Sequence, residues 1–435
     1  MSTLNFKIEY FVSKDAEKTY IKIPFTVPYG AESVEISYSY EGQNVRPEPF
    51  GEKNVIDLGL VDNLGNDISA TGSAHRSLFV SETHSSCGAK KTALAEGVWH
   101  ILLGAYMVKK SGVTVSYNVK INLKVPRWLR GDTHLHSTNS DGNSTYLQLA
   151  KKAKRRNLDY IIFTDHNNTF SGSLPDIKGL TMIKGVEFTH FKGHFNFLGA
   201  EKPYSGTYAI NSFEEFEEKC EEAKKNGALR VINHPVSPCP WEWTTDFDYD
   251  GIEVWNGSAV FIKDTFDNLK IWDSELKKGK NLFAVGGSDY HRFSFPFAMP
   301  TTAVFADSRA ESDILSAIKS GKTSILFKPN TPLAYIEKIS ETEIKVTCER
   351  LKRGRTLVIL SENGEMFKHK AKRTASFSIT LPAENSRYFR AEVRRKPPFK
   401  LALLDYLISG KTRPNEKNYF CKESHEVITG AVFFK

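Results

Sequence analysis

Across residues 1–126, apolar and polar side chains alternate with a period of two. The pattern is plainest over Val113–Val125, where Val113, Val115, Tyr117, Val119, Ile121, Leu123 and Val125 would share one buried face while their neighbours meet water. Shorter stretches of this kind fall at Ile21–Val27, Ser33–Tyr40, Asn54–Asp62 and Gly97–Tyr106, with turn residues such as Glu41-Gly42 and Asp62-Asn63 beside them. Several short strands without helical stretches predict an N-terminal β-sandwich domain over 1–126. His75, His84 and His100 lie here without other ligand types around them and read as ordinary surface or core histidines.

The pattern changes at Val125-Pro-Arg-Trp-Leu-Arg. From there, apolar runs end in polar residues at Thr133–His136, Tyr160–Asp165, Met182–Glu187, His194–Gly199, Leu229–His234, Ile252–Trp255 and Leu282–Gly286. Helical stretches fall between many of them. Thr145–Arg156 opens with a Thr-x-x-Gln capping pattern, Ser212–Asn226 opens with Ser-x-x-Glu and closes at Gly227, and Asp264–Lys278 and Glu311–Ser320 are helical by composition. This alternation predicts a parallel α/β domain over 127–328, either a barrel or an open sheet. Short alternating strands return over 329–435, at Glu343–Cys348, Thr356–Ser361, Ala375–Thr380 and Tyr388–Val393, and predict a small C-terminal β-rich domain. The run Arg394-Arg-Lys-Pro-Pro-Phe-Lys reads as a solvated basic loop.

Composition narrows the function classes. No apolar run approaches the roughly 20 residues of a membrane span, and the first residues lack the basic and apolar regions of a secretory signal. Five cysteines, scattered and never spaced as CxxC, argue against a disulfide framework or a thiolate zinc site and predict a cytoplasmic protein. The net charge of +8 is dispersed and interleaved with acids, as in Glu-Glu-Phe-Glu-Glu-Lys-Cys-Glu-Glu-Ala-Lys-Lys-Asn. It therefore points to a solvated surface, or to attraction of an anionic small molecule, rather than to nucleic acid.

The chemistry lies at the ends of the α/β strands. Gly131-Asp-Thr-His134-Leu-His136 places two imidazoles on one side of an extended segment, and Gly287-Ser-Asp289-Tyr-His291 places an acid and an imidazole likewise. Between them come Asp141 in Ser-Asp-Gly, His166 after Asp165, Glu187 in Gly-Val-Glu, His194 in Gly-His-Phe-Asn, and His234 in Ile-Asn-His-Pro. In parallel α/β barrels functional groups collect where strands end, so these residues would converge. Burying so many polar groups uncompensated is costly. Divalent ions compensate it, and mixed imidazole and carboxylate donors suit Zn2+, Mn2+ or Fe2+. A bound ion of this kind would acidify a water into a hydroxide nucleophile, so no side-chain nucleophile is required, and no G-x-S-x-G elbow is present.

This ordered set, HxH…DG…DH…E…H…HP…DxH, resembles the PHP (polymerase and histidinol phosphatase) superfamily of metal-dependent phosphoesterases over about Arg130–Phe327. With Glu96-Gly-Val-Trp-His-Ile-Leu-Leu-Gly preceding Gly131-Asp-Thr-His, it is most similar to the CehA/McbA-like branch, some members of which are associated with aryl carbamate hydrolysis. The resemblance implies a distorted (β/α)7 TIM-like barrel and two or three divalent metal ions. One ion would take His134, His136, Glu187 and Asp289. A second would share Glu187 and add His194 and His234. A third would use Asp141, His166 and His291. Asp141 stands where many members have histidine, and an acid is a harder donor. His190 would line the pocket, and Asp165 would orient the ligands. Asn167, Trp255 and Asn256 are candidate pocket residues. Glu187 and Asp289 would carry catalysis together with Arg292, whose guanidinium suits a phosphate.

The expected activity is hydrolysis of a small phosphate ester by a metal-activated hydroxide. Hydrolysis of a non-phosphate ester, carbamate or amide at the same cluster is the second reading, and a non-catalytic binding module the third.

Overall fold

The computed structural model describes residues 2–43, 52–169, 172–257, 262–292, 296–383, 386–412 and 421–434, without the side chains of 401, 404 and 408–412. The chain divides into two compact units: residues 1–126 with 176–179, and residues 127–175 with 180–435.

The first unit is built from β1 (Thr3–Val12), β2 (Tyr20–Val27), β3 (Ala31–Tyr40), β4 (Val55–Val61), β5 (Asp67–Ala70), β6 (Ser77–Ser81), β7 (Gly97–Met107) and β8 (Val113–Leu123). They form two antiparallel four-stranded sheets, ordered β1-β8-β3-β6 and β2-β7-β4-β5. Alternate residues of both sheets, among them Val115, Tyr117 and Val119 of β8 and Trp99, Ile101 and Leu103 of β7, enter one hydrophobic core. The alternation in β8 thus has the expected cause, with Leu123 and Val125 only half-buried at its end. His84 meets Asp176 at 2.9 Å, as an ordinary polar contact of this unit.

The second unit opens with β9 (Arg127–Asp132), α1 (Tyr146–Arg155), β10 (Tyr160–His166), β11 (Thr181–His190), β12 (Gly193–Leu198), α2 (Phe213–Lys225), β13 (Leu229–Ile232), β14 (Gly251–Asn256), α3 (Ile262–Lys277), β15 (Phe283–Gly287), β16 (Thr301–Ala306), α4 (Glu311–Lys319) and β17 (Thr323–Leu326). It continues with β18 (Ala334–Ser340), β19 (Glu343–Leu351), β20 (Thr356–Ser361), β21 (Gly364–Lys370), β22 (Ala375–Pro382), β23 (Tyr388–Arg395), α5 (Phe399–Thr412), β24 (Ser424–Thr429) and β25 (Val432–Phe433). The architecture is α/β but sheet-heavy and helix-poor. One long sheet runs β15-β14-β13-β12-β11-β10-β9-β16-β17-β24-β23-β20-β21, and β18-β19-β22 form a separate one. The C-terminal strands β23 and β24 therefore extend the sheet that carries the α/β strands.

Local sequence explains the elements that frame the site. Thr145 and Gln148 form the expected reciprocal capping box on α1, and Ser212 caps α2 by accepting from Glu215 N–H. The pairs β9/β10, β10/β11, β13/β14 and β14/β15 are parallel, whereas β12 is antiparallel to both its neighbours. The segment after β15 returns beside the segment after β9. Leu135 bridges Tyr290 in parallel, Asp289 N–H donates to His134 O (2.9 Å) and His136 N–H to Tyr290 O (3.2 Å).

Two details differ from the sequence reading. Helix α5 (Phe399–Thr412) stands within the stretch read as a β-rich domain, for which no helix was expected. Arg394 and Arg395 are not a solvated loop: Arg394 Nε donates to Glu392 (2.6 Å), and the Arg395 guanidinium lies 3.9 Å from the Phe327 ring centroid. Among the described residues, no helix is long and apolar enough to cross a membrane.

Candidate metal centre

Every predicted metal ligand reaches one focus. His134 and His136 follow β9, His166 ends β10, His234 comes two residues after β13, and Asp289 and His291 follow β15. His194 stands at the start of β12 rather than at a strand end. Because β12 runs antiparallel to β11, with His194 opposite Thr189, that start lies at the same edge of the sheet. Backbone geometry adapts to this crowding. Asp289 (φ 49°) and His234 (φ 26°) both adopt positive φ, a strained choice that over-determined surroundings must hold. A Cβ on Gly287 would sit 2.3 Å from His134 Cβ, so only glycine lets the β15 turn pass the HxH segment.

Glu187 is the hub, and it is fully buried. Its Oε1 lies 3.3 Å from His134 Nε2, 3.1 Å from His194 Nδ1 and 3.5 Å from His234 Nε2; its Oε2 lies 2.8 Å from His166 Nδ1 and 3.5 Å from His136 Nε2. Asp289 Oδ1 is 3.1 Å from His136 Nε2, 3.5 Å from His134 Nε2 and 3.4 Å from His291 Nδ1. Asp141, which is exposed, lies 3.5 Å from His166 Nε2 and 3.3 Å from His291 Nε2. Three groups have donor atoms close enough to share an ion: His134, His136 and Glu187; Glu187, His194 and His234; and His136, Asp141, His166 and His291.

These residues fit divalent ions. His134 Nε2, both ring nitrogens of His136 and His234, and Glu187 Oε2 are buried without a hydrogen-bond partner. Buried polar atoms are otherwise nearly always paired, and the lone atoms here belong to residues of these groups. The electrostatics agree. Burial opposes a charged ring at His134, yet Glu253, Glu187 and Asp289 lift its pKa well above the ordinary histidine value. Burial likewise opposes charge on Glu187 and Asp289, but the imidazoles, His134 foremost, hold both carboxyls below their usual range. This favours ionised carboxylates, the form in which they ligate a cation.

Three supporting residues, Glu253, Asn233 and Asp132, escaped the sequence reading, and the candidate pocket residue Asn256 joins them. Glu253 Oε1 lies 3.0 Å from His134 Nδ1, and Asn256 Nδ2 donates to Glu253 (3.0 Å) and to Asp289 (3.3 Å). A bulge between Glu253 and Trp255 lets residues three apart on β14 face the same side. Asn233 Nδ2 donates to Glu187 Oε1 (2.8 Å). Asp132 accepts from Ser288 N–H (2.9 Å), Ser288 Oγ (2.5 Å) and Ala298 N–H (3.1 Å), tying the end of β9 to the loop after β15, and burial pushes its carboxyl up to about 7. The signal for Glu253 was an acid inside the apolar run of β14.

Other expected roles shift. Asp165 touches no imidazole. It accepts from Ser137 N–H (2.6 Å), Ser137 Oγ (2.9 Å), Ser140 Oγ (2.8 Å) and Tyr146 OH (3.0 Å), and so pins the loop carrying Asp141. His190 turns away, stacked on Trp243 at 4.6 Å. Asn167 staples β10 to β11 through Thr189 N–H (2.9 Å) and Thr189 O (3.0 Å). Trp255 is core. Arg292 is exposed, one residue past His291.

The family profile described as PHP domain matches residues 132–369, more than half of the chain. A phosphoribosyl 1,2-cyclic phosphate 1,2-diphosphodiesterase of Eggerthella lenta is 31% identical over 81 residues, 16% of this chain and 31% of that relative. The chain thus spans about a third of the length of the curated relative it matches. Among solved structures, a two-domain protein of Bacteroides vulgatus containing a predicted PHP-like metal-dependent phosphoesterase aligns with 62% of this chain and 91% of its own, at 19% identity and a TM-score of 0.37.

Proposed function

The chain belongs to the PHP domain family, and from that premise we propose that it is a metal-dependent phosphoesterase acting on a small phosphorylated substrate. The observation that carries this reading is Glu187, a buried carboxylate facing five imidazoles within 3.5 Å. His134, His136, Glu187 and Asp289 would hold one ion, Glu187 with His194 and His234 a second, and Asp141, His166 and His291 a third. Bound there, Zn2+, Mn2+ or Fe2+ would supply Lewis acidity and lower the pKa of water enough to make a nucleophile at neutral pH.

The chain's own residues do the rest. Glu187 and Asp289 are held ionised by the surrounding imidazoles and would offset the charge of bound cations. Glu253 and Asn256 hold His134 and Asp289 in place. Arg292 is assigned to the phosphate, whose oxygens its planar fork matches. In this reading residues 127–328 are a distorted (β/α)7 barrel of the CehA/McbA-like branch, flanked by an N-terminal sandwich domain (1–126) and a C-terminal domain (329–435). The five free cysteines support a cytoplasmic setting.

The test is metal analysis of the purified chain together with turnover of aryl phosphate mono- and diesters, set against aryl esters and carbamates. Phosphate ester hydrolysis that requires bound metal is the expected result. A fully metallated chain that cleaves only carbamates or carboxyl esters would overturn the substrate class, and one that cleaves nothing would leave a binding module.

A further inference from the structure

The first unit has four sheet edges, and three are blunted. β5 has four residues and β6 five. β2 carries Pro24, which lacks an N–H to offer. These are ordinary devices against edge-to-edge pairing. β1 has none of them. It runs ten residues, from Thr3 to Val12, in unbroken register with Val113–Asn122 of β8, without proline or bulge. Among the described residues, nothing pairs with its outer side. Its single lysine, Lys7, is paired with Glu9 at 2.7 Å.

The strand also exposes apolar side chains. Leu4, Phe6 and Tyr10 lie on one side of it and remain 43%, 36% and 36% exposed; Phe11 on the other side is 60% exposed. The sequence is complementary to itself. An antiparallel copy related by a two-fold axis at Ile8 sets Lys7 opposite Glu9, Glu9 opposite Lys7, Phe6 opposite Tyr10, Leu4 opposite Val12 and Ile8 opposite itself. Opposite charges and aromatic pairs facing each other across strands are stabilising, and a two-fold contact uses the same patch on both chains.

We propose that the chain forms a two-fold dimer by antiparallel pairing of β1 with β1 of a second copy, centred on Ile8, so that the sheet continues across the interface as eight strands.

The experiment measures the mass of the full chain by sedimentation and light scattering across about 1 to 100 μM, a range suited to a modest interface. The wild type should be dimeric in the upper part of that range. Lys7→Glu and Glu9→Lys each place like charges opposite one another twice per dimer, and should weaken association at least about tenfold. Mixing the two variants should restore a dimer, now a heterodimer, because two acids on one chain would face two lysines on the other. The double exchange Lys7→Glu/Glu9→Lys should restore the homodimer. Circular dichroism of each variant checks that the exposed substitutions leave the fold unchanged. A wild type monomeric at the top of the range overturns the proposal. So does a dimer indifferent to both single exchanges, or a mixture that associates no better than its components.

Discussion

His134 Nδ1 lies 3.0 Å from Glu253 Oε1, and both side chains are almost completely buried. The carboxylate accepts the Nδ1 proton and leaves Nε2 facing Glu187 and Asp289. A second partner of this kind fixes ring orientation and tautomer, and its loss typically costs about 10- to 100-fold in metal affinity. Glu253→Ala should therefore weaken the tightest ion by that factor in a chelator-competition titration, with Glu253→Gln falling between. Unchanged affinity in Glu253→Ala would show that packing alone aligns His134.

Glu187 belongs to two of the three ligand groups. Glu187→Ala should lower the bound metal by more than one ion per chain in elemental analysis, whereas Asp141→Ala should remove at most one. Chelation of the native chain should also lower its melting temperature, since an ion binding only the folded state at 100 times its Kd contributes about 2.7 kcal/mol. A melting curve indifferent to chelator and to added Mn2+ or Zn2+ would contradict a metal centre.

Asp165 accepts four hydrogen bonds from the segment Ser137–Tyr146. Asp165→Ala strands buried donors, at roughly 1–3 kcal/mol for each left unsatisfied. Urea denaturation should register a loss of at least about 2 kcal/mol. The looser loop should weaken the group containing Asp141 more than the group built on His194 and His234. An equal loss from both groups would mean that Asp165 acts only on global stability.

What the sequence disclosed follows from the strength of each physical signal. β8 was plain because one face is buried and the other wet, and α1 and α2 because their caps are spelled out locally. β1 went unread although Leu4, Phe6, Ile8 and Tyr10 alternate with Asn5, Lys7 and Glu9; as an edge strand it stays largely exposed on both faces even so. The antiparallel turn of β12 was hidden because strand direction is set by the short hairpin at Phe191-Lys192, not by periodicity. At the site, motif spacing was enough to bring the histidines and acids into one list. The role of Glu253 was not, because it depends on a bulge that re-aims one strand residue. Asp165 misled for the opposite reason: adjacency to His166 in sequence suggested contact, but on a strand neighbours face opposite sides.

A second buried charge cluster, outside the metal centre, makes a prediction about acid. Glu392 Oε1 accepts from Arg390 Nη1 (2.5 Å), and its Oε2 accepts from Arg394 Nε (2.6 Å) and lies 3.0 Å from His425 Nε2. Arg390 also grips Asp273 with two bonds of 2.7 Å. Burial alone would raise the carboxyl of Glu392, but Arg390, His425 and Arg394 outweigh it and hold the pKa well below the glutamate range. Because the folded value is depressed, the stabilisation is complete above the unfolded pKa of about 4.3. It is lost only as pH falls below that point toward the folded value. Glu392→Gln removes the charge but keeps the shape, leaving the buried Arg390 undercompensated, at about 3–5 kcal/mol. The stability gap between wild type and variant should stay level from about pH 8 to pH 5 and narrow only below about pH 4. Urea denaturation across that series measures it. A gap already closing near pH 6 would mean that the arginines do not hold Glu392 in its charged form.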